Sequence, residues 1–212
     1  MGFLWLALSI LVWGFLHSLF ASLQFKDFSR RLFGLGLDRI YRLAYNLFAG
    51  LSLIPVLVVA ALLPDQKLYS VPLPWLALMI IGELLAGVAL VIGFSQSRPF
   101  EFLGMRQLES LSEEPARLTT TGLYHYVRHP LYSAGLAMLW LIPQMTVNLL
   151  VMNLALTMYI IIGATLEERK LSSEIGQEYG EYMDVTPMFI PSLKGTIPSV
   201  ERPKNNILLY GV

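Results

Sequence analysis

The chain contains no cysteine. Disulfides, thiolate metal sites and a cysteine nucleophile are thereby excluded, while the redox compartment stays unread. Histidine is nearly as scarce. There are three, and one of them, His17, lies deep in an apolar run, so no metal site built from protein ligands is expected. Charge is also in short supply: 14% of the 212 residues carry it, against about 25% in an ordinary soluble domain. Basic and acidic residues cancel to a net charge of +0, so no bulk field points to a nucleic-acid partner. No GxGxxG, P-loop, HExxH or GxSxG motif is present, and there is no internal repeat or low-complexity run. Hydrophobic residues make up 55% of the chain, and the mean hydropathy is +0.59. Together these values predict a membrane protein.

In chain order, Gly2 to Leu23 carries no charge, a run of roughly 22 residues, enough to span about 30 Å of hydrocarbon. A signal peptide would need a basic start and a shorter apolar core. Here the first charge, Lys26, follows the run, so a first transmembrane helix is expected. From Gln24 to Arg42, Lys26, Arg30, Arg31, Arg39 and Arg42 interleave with Phe25, Phe28, Leu32 and Phe33. That pattern reads as a basic amphipathic segment on the membrane surface, broken at Gly34-Leu35-Gly36. Leu43 to Leu63, with Pro55 inside, and Trp75 to Phe94, with Glu83 inside, read as the second and third spans. Ser95 to Arg128 is polar. Leu131 to Leu166 is uncharged for about 36 residues, near twice the length of one span. With Pro143-Gln144-Met145-Thr146 near its middle, this stretch reads as a helical hairpin whose first arm is short. Leu171, Ile175, Tyr179 and Tyr182 then recur at helical spacing, as on an amphipathic surface helix, before Pro187 and Pro191. The expected fold is all-α: a polytopic membrane protein of about five transmembrane helices, with a C-terminal helical hairpin, in a single domain over 1–212.

Basic residues in short loops set orientation. Five fall in 24–42, one in 64–74 and none in 143–148. The expected topology therefore has the N-terminus outside and the C-terminus in the cytoplasm, together with 95–128 and 167–212. Polar clusters before and after the hairpin then share one membrane face, where they can line a pocket.

Several residues in those clusters admit two readings each. Arg128-His129-Pro130-Leu131-Tyr132 is either a basic interfacial anchor with Pro at the first helical position, or a ligand site in which His129, Tyr132 and helix-start amides meet a polar, anionic group. Thr119 to Tyr126 is either a turn into a helix or a ligand-lining loop, with Tyr124 offering an aromatic face to a cation. Glu167-Glu168-Arg169-Lys170 is either a solvated helix end or holds a functional carboxylate. A carboxylate at a helix C-terminus opposes the macrodipole, so either the helix runs on or Glu167 has a partner. His17 and Glu83 are intramembrane ionisable residues, functional candidates by position or simple interhelical hydrogen-bonding groups.

Gly122-Leu123-Tyr124-His125-Tyr126-Val127-Arg128-His129-Pro130-Leu131-Tyr132, with Glu167-Glu168-Arg169-Lys170-Leu171 and Gly176-Gln177-Glu178-Tyr179-Gly180-Glu181-Tyr182, resembles the integral-membrane methyltransferases. These include isoprenylcysteine carboxyl methyltransferases and phospholipid N-methyltransferases. A narrower likeness, to bacterial methanethiol S-methyltransferases, runs through His17-Ser18-Leu19-Phe20-Ala21-Ser22, Tyr41 to Asn46, Phe102 to Gln107 and Pro143 to Thr146. The resemblance implies S-adenosylmethionine as methyl donor. It implies cofactor contacts at Tyr124, His129, Pro130, Leu131, Tyr132 and Glu167, with Leu118 and Thr119 nearby, in a cofactor-binding part over about 102–191. The carboxyl methyltransferases carry a basic substrate-binding residue where Gly163 stands here, which argues against a prenylcysteine acceptor.

The reading is methyl transfer from S-adenosylmethionine to a small hydrophobic thiol, giving a thioether, within the lipid bilayer. Arg128, His129 and Glu167 are the expected catalytic residues. His17 and Arg106 are the candidates for meeting the substrate. Carboxyl O-methylation of isoprenylcysteine and N-methylation of a lipid are the enzymatic alternatives, and a membrane transporter or assembly factor is the non-enzymatic one.

Overall fold

The computed structural model describes residues 2–34, 37–97 and 118–192; Arg106 and the rest of the 102–117 stretch lie outside them. Within these residues the helices are α1 (Gly2–Ala21), α2 (Leu23–Phe33), α3 (Leu37–Leu62), α4 (Trp75–Gln96), α5 (Pro130–Trp140), α6 (Val147–Ile175) and α7 (Gln177–Val185). Two short strands, β1 (Lys67–Ser70) and β2 (Gln144–Thr146), pair antiparallel. The architecture is all-α apart from this small ribbon, and α1, α3 from Ile40, α4 and α6 are long and apolar enough to cross a membrane. The fifth expected span is shorter. Helix α5 has 11 residues, about 16 Å at 1.5 Å per residue, near half a bilayer.

The chain forms two compact units. One contains residues 1–76 and 143–159. Its core is Leu6, Ile10 and Val56, with Trp13, Leu53, Val151 and Ala155 packed around them. Large apolar side chains on the same helices point outward: Leu11 is 69% and Phe15 67% exposed. Apolar patches of this extent need an apolar solvent, and a bilayer supplies it. Inside the unit, Asn148 and Asn153 are buried. Asn148 Nδ2 donates to the carbonyls of Ala60 and Leu63, each at 3.4 Å, at the open end of α3. Asp65 Oδ1 accepts from the amides of Gln66 at 2.8 Å and Asn148 at 3.0 Å. Desolvation pushes the Asp65 carboxyl up, but hydrogen bonds from Thr146, Asn148, Gln66 and Val147 outweigh it and hold it below its ordinary value. One carboxylate thus caps the start of α6 from the α3–α4 link, beside the β1–β2 pairing.

Helix α2 begins with Ser22, whose hydroxyl accepts from the Phe25 amide at 3.2 Å. It ends at Gly34 with φ 79°, a left-handed cap that sets its length. Phe28, Leu32 and Phe33 are exposed, which leaves the amphipathic character expected of a surface helix.

Among the described residues, the other unit contains 77–97, 118–142 and 160–192. Helix α5 runs antiparallel along α4: a Cβ on Gly93 would lie 3.3 Å from Leu131, and one on Gly82 2.8 Å from Leu141. Small residues let the two backbones approach. Helix α6 does not stop at its glutamates; it continues to Ile175, so Glu167 and Glu168 sit mid-helix and oppose no terminal dipole. The amphipathic stretch expected past Lys170 is interrupted at Gly176, φ 74°. The left-handed residue turns the chain into α7 and lets Tyr179 and Tyr182 become buried.

Candidate active site

The site is built where α5 begins. Pro130 stands at the first helical position and His129 is the N-cap. Just upstream, Gly122 at φ 65° opens a 3-10 turn over Gly122–His125. The Leu123 amide donates to Gln96 Oε1 at 3.0 Å, which ties the turn to the end of α4. A Cβ at Gly122 would strike the Gln96 side chain.

From this frame Arg128 reaches across to α6. Its Nε donates to Glu168 Oε1 at 2.7 Å and its Nη2 to Glu168 Oε2 at 3.2 Å, a bidentate pair. Its Nη1 donates to the carbonyls of Met183, at 3.0 Å, and Thr186. The main chain repeats the connection: the Arg128 amide donates to Pro187 O at 2.9 Å, that of His129 to Met188 O at 3.2 Å, and that of Ser192 to Tyr126 O at 3.2 Å. The 183–192 segment is therefore stapled to the start of α5.

His129 is 7% exposed. Its ring stacks on Tyr132 at 5.4 Å and 20° and meets Phe189 at 6.0 Å. Nε2 lies 3.0 Å from Glu168 Oε1, and Nδ1 lies 4.0 Å from Glu167 Oε2. Tyr132 donates its hydroxyl to Glu167 Oε2 at 3.0 Å. The neighbouring carboxylates differ in setting: the Glu168 side chain is 14% exposed and that of Glu167 46%. Tyr124, half-buried, has its phenol pushed up by burial and then by the Glu167 charge, so it stays a protonated donor. Tyr182 donates to the Tyr124 carbonyl at 2.5 Å. Burial raises the Tyr182 phenol strongly, and burial with the Glu168 charge pushes Tyr179 to about 12.

Among the residues expected from sequence, Arg128, His129, Tyr132 and Glu167 converge here, with Tyr124 beside them. Pro130 and Leu131 form the first turn of α5, one buried and one against Gly93. Leu118 and Thr119 are half-buried in the extended residues before the turn. His17 belongs to the other unit: its Nε2 and the Tyr45 hydroxyl are 2.8 Å apart, and Trp13 and Tyr159 flank its ring. Sequence reasoning missed Glu168, Phe189 and the carbonyls of Met183 and Thr186. The signal for Glu168 was the need of a buried Arg128 for a carboxylate; the carbonyls leave no signal in side-chain identity.

A family model described as phospholipid methyltransferase matches residues 77–178. The methanethiol S-methyltransferase of Crocosphaera subtropica is 30% identical over 82% of this chain and 69% of its own length. The chain belongs to the methanethiol S-methyltransferase family. Methanethiol S-methyltransferase 1 of Bradyrhizobium diazoefficiens is 33% identical, again over 82% of this chain, and the chain spans 62% of that relative's length. The methanethiol S-methyltransferase of Pseudomonas deceptionensis is 40% identical over 51% of the chain and 42% of its own length. No solved structure matches the chain.

Proposed function

We propose that this protein is a membrane-embedded methyltransferase that moves a methyl group from S-adenosylmethionine to a small hydrophobic thiol of the methanethiol kind, giving a thioether. Family membership supports the reaction class. The observation that carries the site is the meeting of His129, Tyr132, Glu167 and Glu168 at the start of α5 and on α6. This donor set fits the cofactor. A half-exposed carboxylate beside tyrosine rings suits a ligand bearing cationic groups and hydroxyl donors, because the carboxylate accepts from hydroxyls and ammonium and aromatic faces attract cations. Glu167, Tyr124, His129 and Tyr132 would hold it, with Pro130 and Leu131 shaping the wall and Leu118 and Thr119 at its margin.

When bound, S-adenosylmethionine supplies a methyl sulfonium, which needs an aligned nucleophile and a dry site more than strong acid. The chain's own contribution is to orient and to exclude water. Arg128 acts by holding Glu168 and the 183–192 segment, since its Nε, Nη1 and Nη2 all carry bonds. The excess of basic residues in 24–42 supports an N-terminus outside and a cytoplasmic cofactor site.

Purified protein given labelled S-adenosylmethionine and a panel of volatile thiols should yield labelled thioether in the headspace. Glu167→Ala and His129→Ala should lower cofactor affinity about 10- to 100-fold, the loss of a charge-assisted hydrogen bond of about 1.5–3 kcal/mol. No saturable cofactor binding by the unsubstituted protein would end the reading. The match to phospholipid methyltransferases favours a lipid amine as the second acceptor class; labelled lipid with no labelled thioether would select it.

A further inference from the structure

The two glutamates of α6 have separate tasks. We propose that Glu168 is a positioning residue that fixes His129 as the Nε2–H tautomer, leaving Nδ1 as an acceptor that takes the proton of the methyl-accepting thiol. The inference rests on the methyltransferase reading for its second half only.

Donors and acceptors fix the tautomer. An ionised carboxylate accepts and cannot donate. Glu168 Oε1 lies 3.0 Å from His129 Nε2, so the proton of a neutral imidazole sits on Nε2. The carboxylate cannot swing away, because Arg128 grips both oxygens at 2.7 and 3.2 Å while its own Nη1 is anchored on main-chain carbonyls. The ring cannot turn freely either, since Tyr132 stacks on it and Phe189 packs against it. Nδ1 is then the nitrogen with an open lone pair. It faces the more exposed carboxylate, Glu167, at 4.0 Å. A group that orients one imidazole nitrogen so that the other serves as base is a recurring arrangement.

In the step, the thiol S–H bond breaks toward Nδ1. The proton moves to nitrogen, and the electron pair left on sulfur forms the new S–CH3 bond as the methyl–sulfonium bond breaks, the electrons of that bond staying on the sulfur of the departing S-adenosylhomocysteine. The resulting imidazolium presents Nε2–H to Glu168 and Nδ1–H toward Glu167, so both carboxylates stabilise the charge. The proton returns to water once the thioether has left.

Nitrogen-15 labelling of the three histidines in the detergent-solubilised full chain tests the tautomer without turnover, with His129→Gln assigning the signal. The expected spectrum at neutral pH has a protonated Nε2 and a bare Nδ1 on His129. Glu168→Gln, whose amide can also donate, should give mixed tautomers. It should lower kcat about 100-fold, the scale of general-base assistance, with KM for the cofactor within threefold. Glu168→Asp should recover part of kcat. An Nδ1–H tautomer in the unsubstituted protein overturns the proposal, as does a Glu168→Gln protein with unchanged tautomer and kcat. If Glu168→Gln fails to fold, the unsubstituted spectrum and Glu168→Asp decide. The expected tautomer in a protein that methylates no thiol would leave the positioning role standing and remove the methyltransferase reading.

Discussion

Removing the Arg128 side chain is the sharpest test of how the site is held together. The Arg128 and Glu168 side chains are 12% and 14% exposed, so their pair is sheltered from solvent. Deleting one partner of such a pair typically costs about 3–5 kcal/mol, because a charge is left buried without compensation. Arg128→Ala also strips the Met183 and Thr186 carbonyls of a donor. The loss falls on the contact between the start of α5 and residues 183–192, so the amides of Arg128, His129 and Ser192, which bond across it, should report it. By hydrogen exchange in detergent, 3 kcal/mol or more corresponds to an increase of about 100-fold or greater at these three amides, with amides of α1 unchanged. Replacing both residues, Arg128→Met with Glu168→Met, should return much of the protection, since an apolar pair of similar volume carries no desolvation penalty. It should not return activity, because His129 loses its Nε2 partner. Exchange within threefold of the unsubstituted protein after Arg128→Ala would refute the reasoning, as would a double variant less protected than the single one.

Gly122→Ala places a Cβ at φ 65° against Gln96; a left-handed alanine alone costs about 1–2 kcal/mol. Thermal unfolding of the variant should fall accordingly, and Gln96→Ala should relieve only the steric share. Tyr179 sets an alkaline limit. Burial pushes its phenol up from the ordinary 10.0 to about 12 in the folded protein. The unfolded state therefore releases a proton first, and stability present below the lower value is lost progressively toward the upper one. Tyr179→Phe should flatten that loss in an alkaline unfolding titration; an unchanged slope would exclude the residue as its source. Asp65→Ala should cost about 1 kcal/mol, the usual worth of a helix N-cap. In the unsubstituted protein the same bonds persist above the ordinary aspartate range and fade as pH falls through the depressed folded value, so the variant should show a shallower acid limb.

Much of this protein was legible from residue order alone. Long uncharged runs give helices because a bilayer leaves no water for unpaired backbone groups, so α1, α3, α4 and α6 followed from composition and length. Gly34 as the end of α2 and Pro130 as the start of α5 are local steric facts, readable without partners. The residues of the candidate site could also be named in advance, since Arg128, His129, Tyr132 and Glu167 stand in a pattern that resembles the integral-membrane methyltransferases. Their division of labour could not. Whether Glu167 or Glu168 faces Arg128 depends on the rotation of α6 against the start of α5, a difference of about 100° between adjacent helical positions. Carbonyls of Met183 and Thr186 enter the site through backbone geometry, which side-chain identity does not encode. The ribbon of β1 with β2 and the capping of α6 by Asp65 likewise join residues distant in sequence. Pairings of that kind exist only once helices are packed, because hydrogen bonds and ion pairs act over a few ångströms and sequence separation says nothing about which groups come that close.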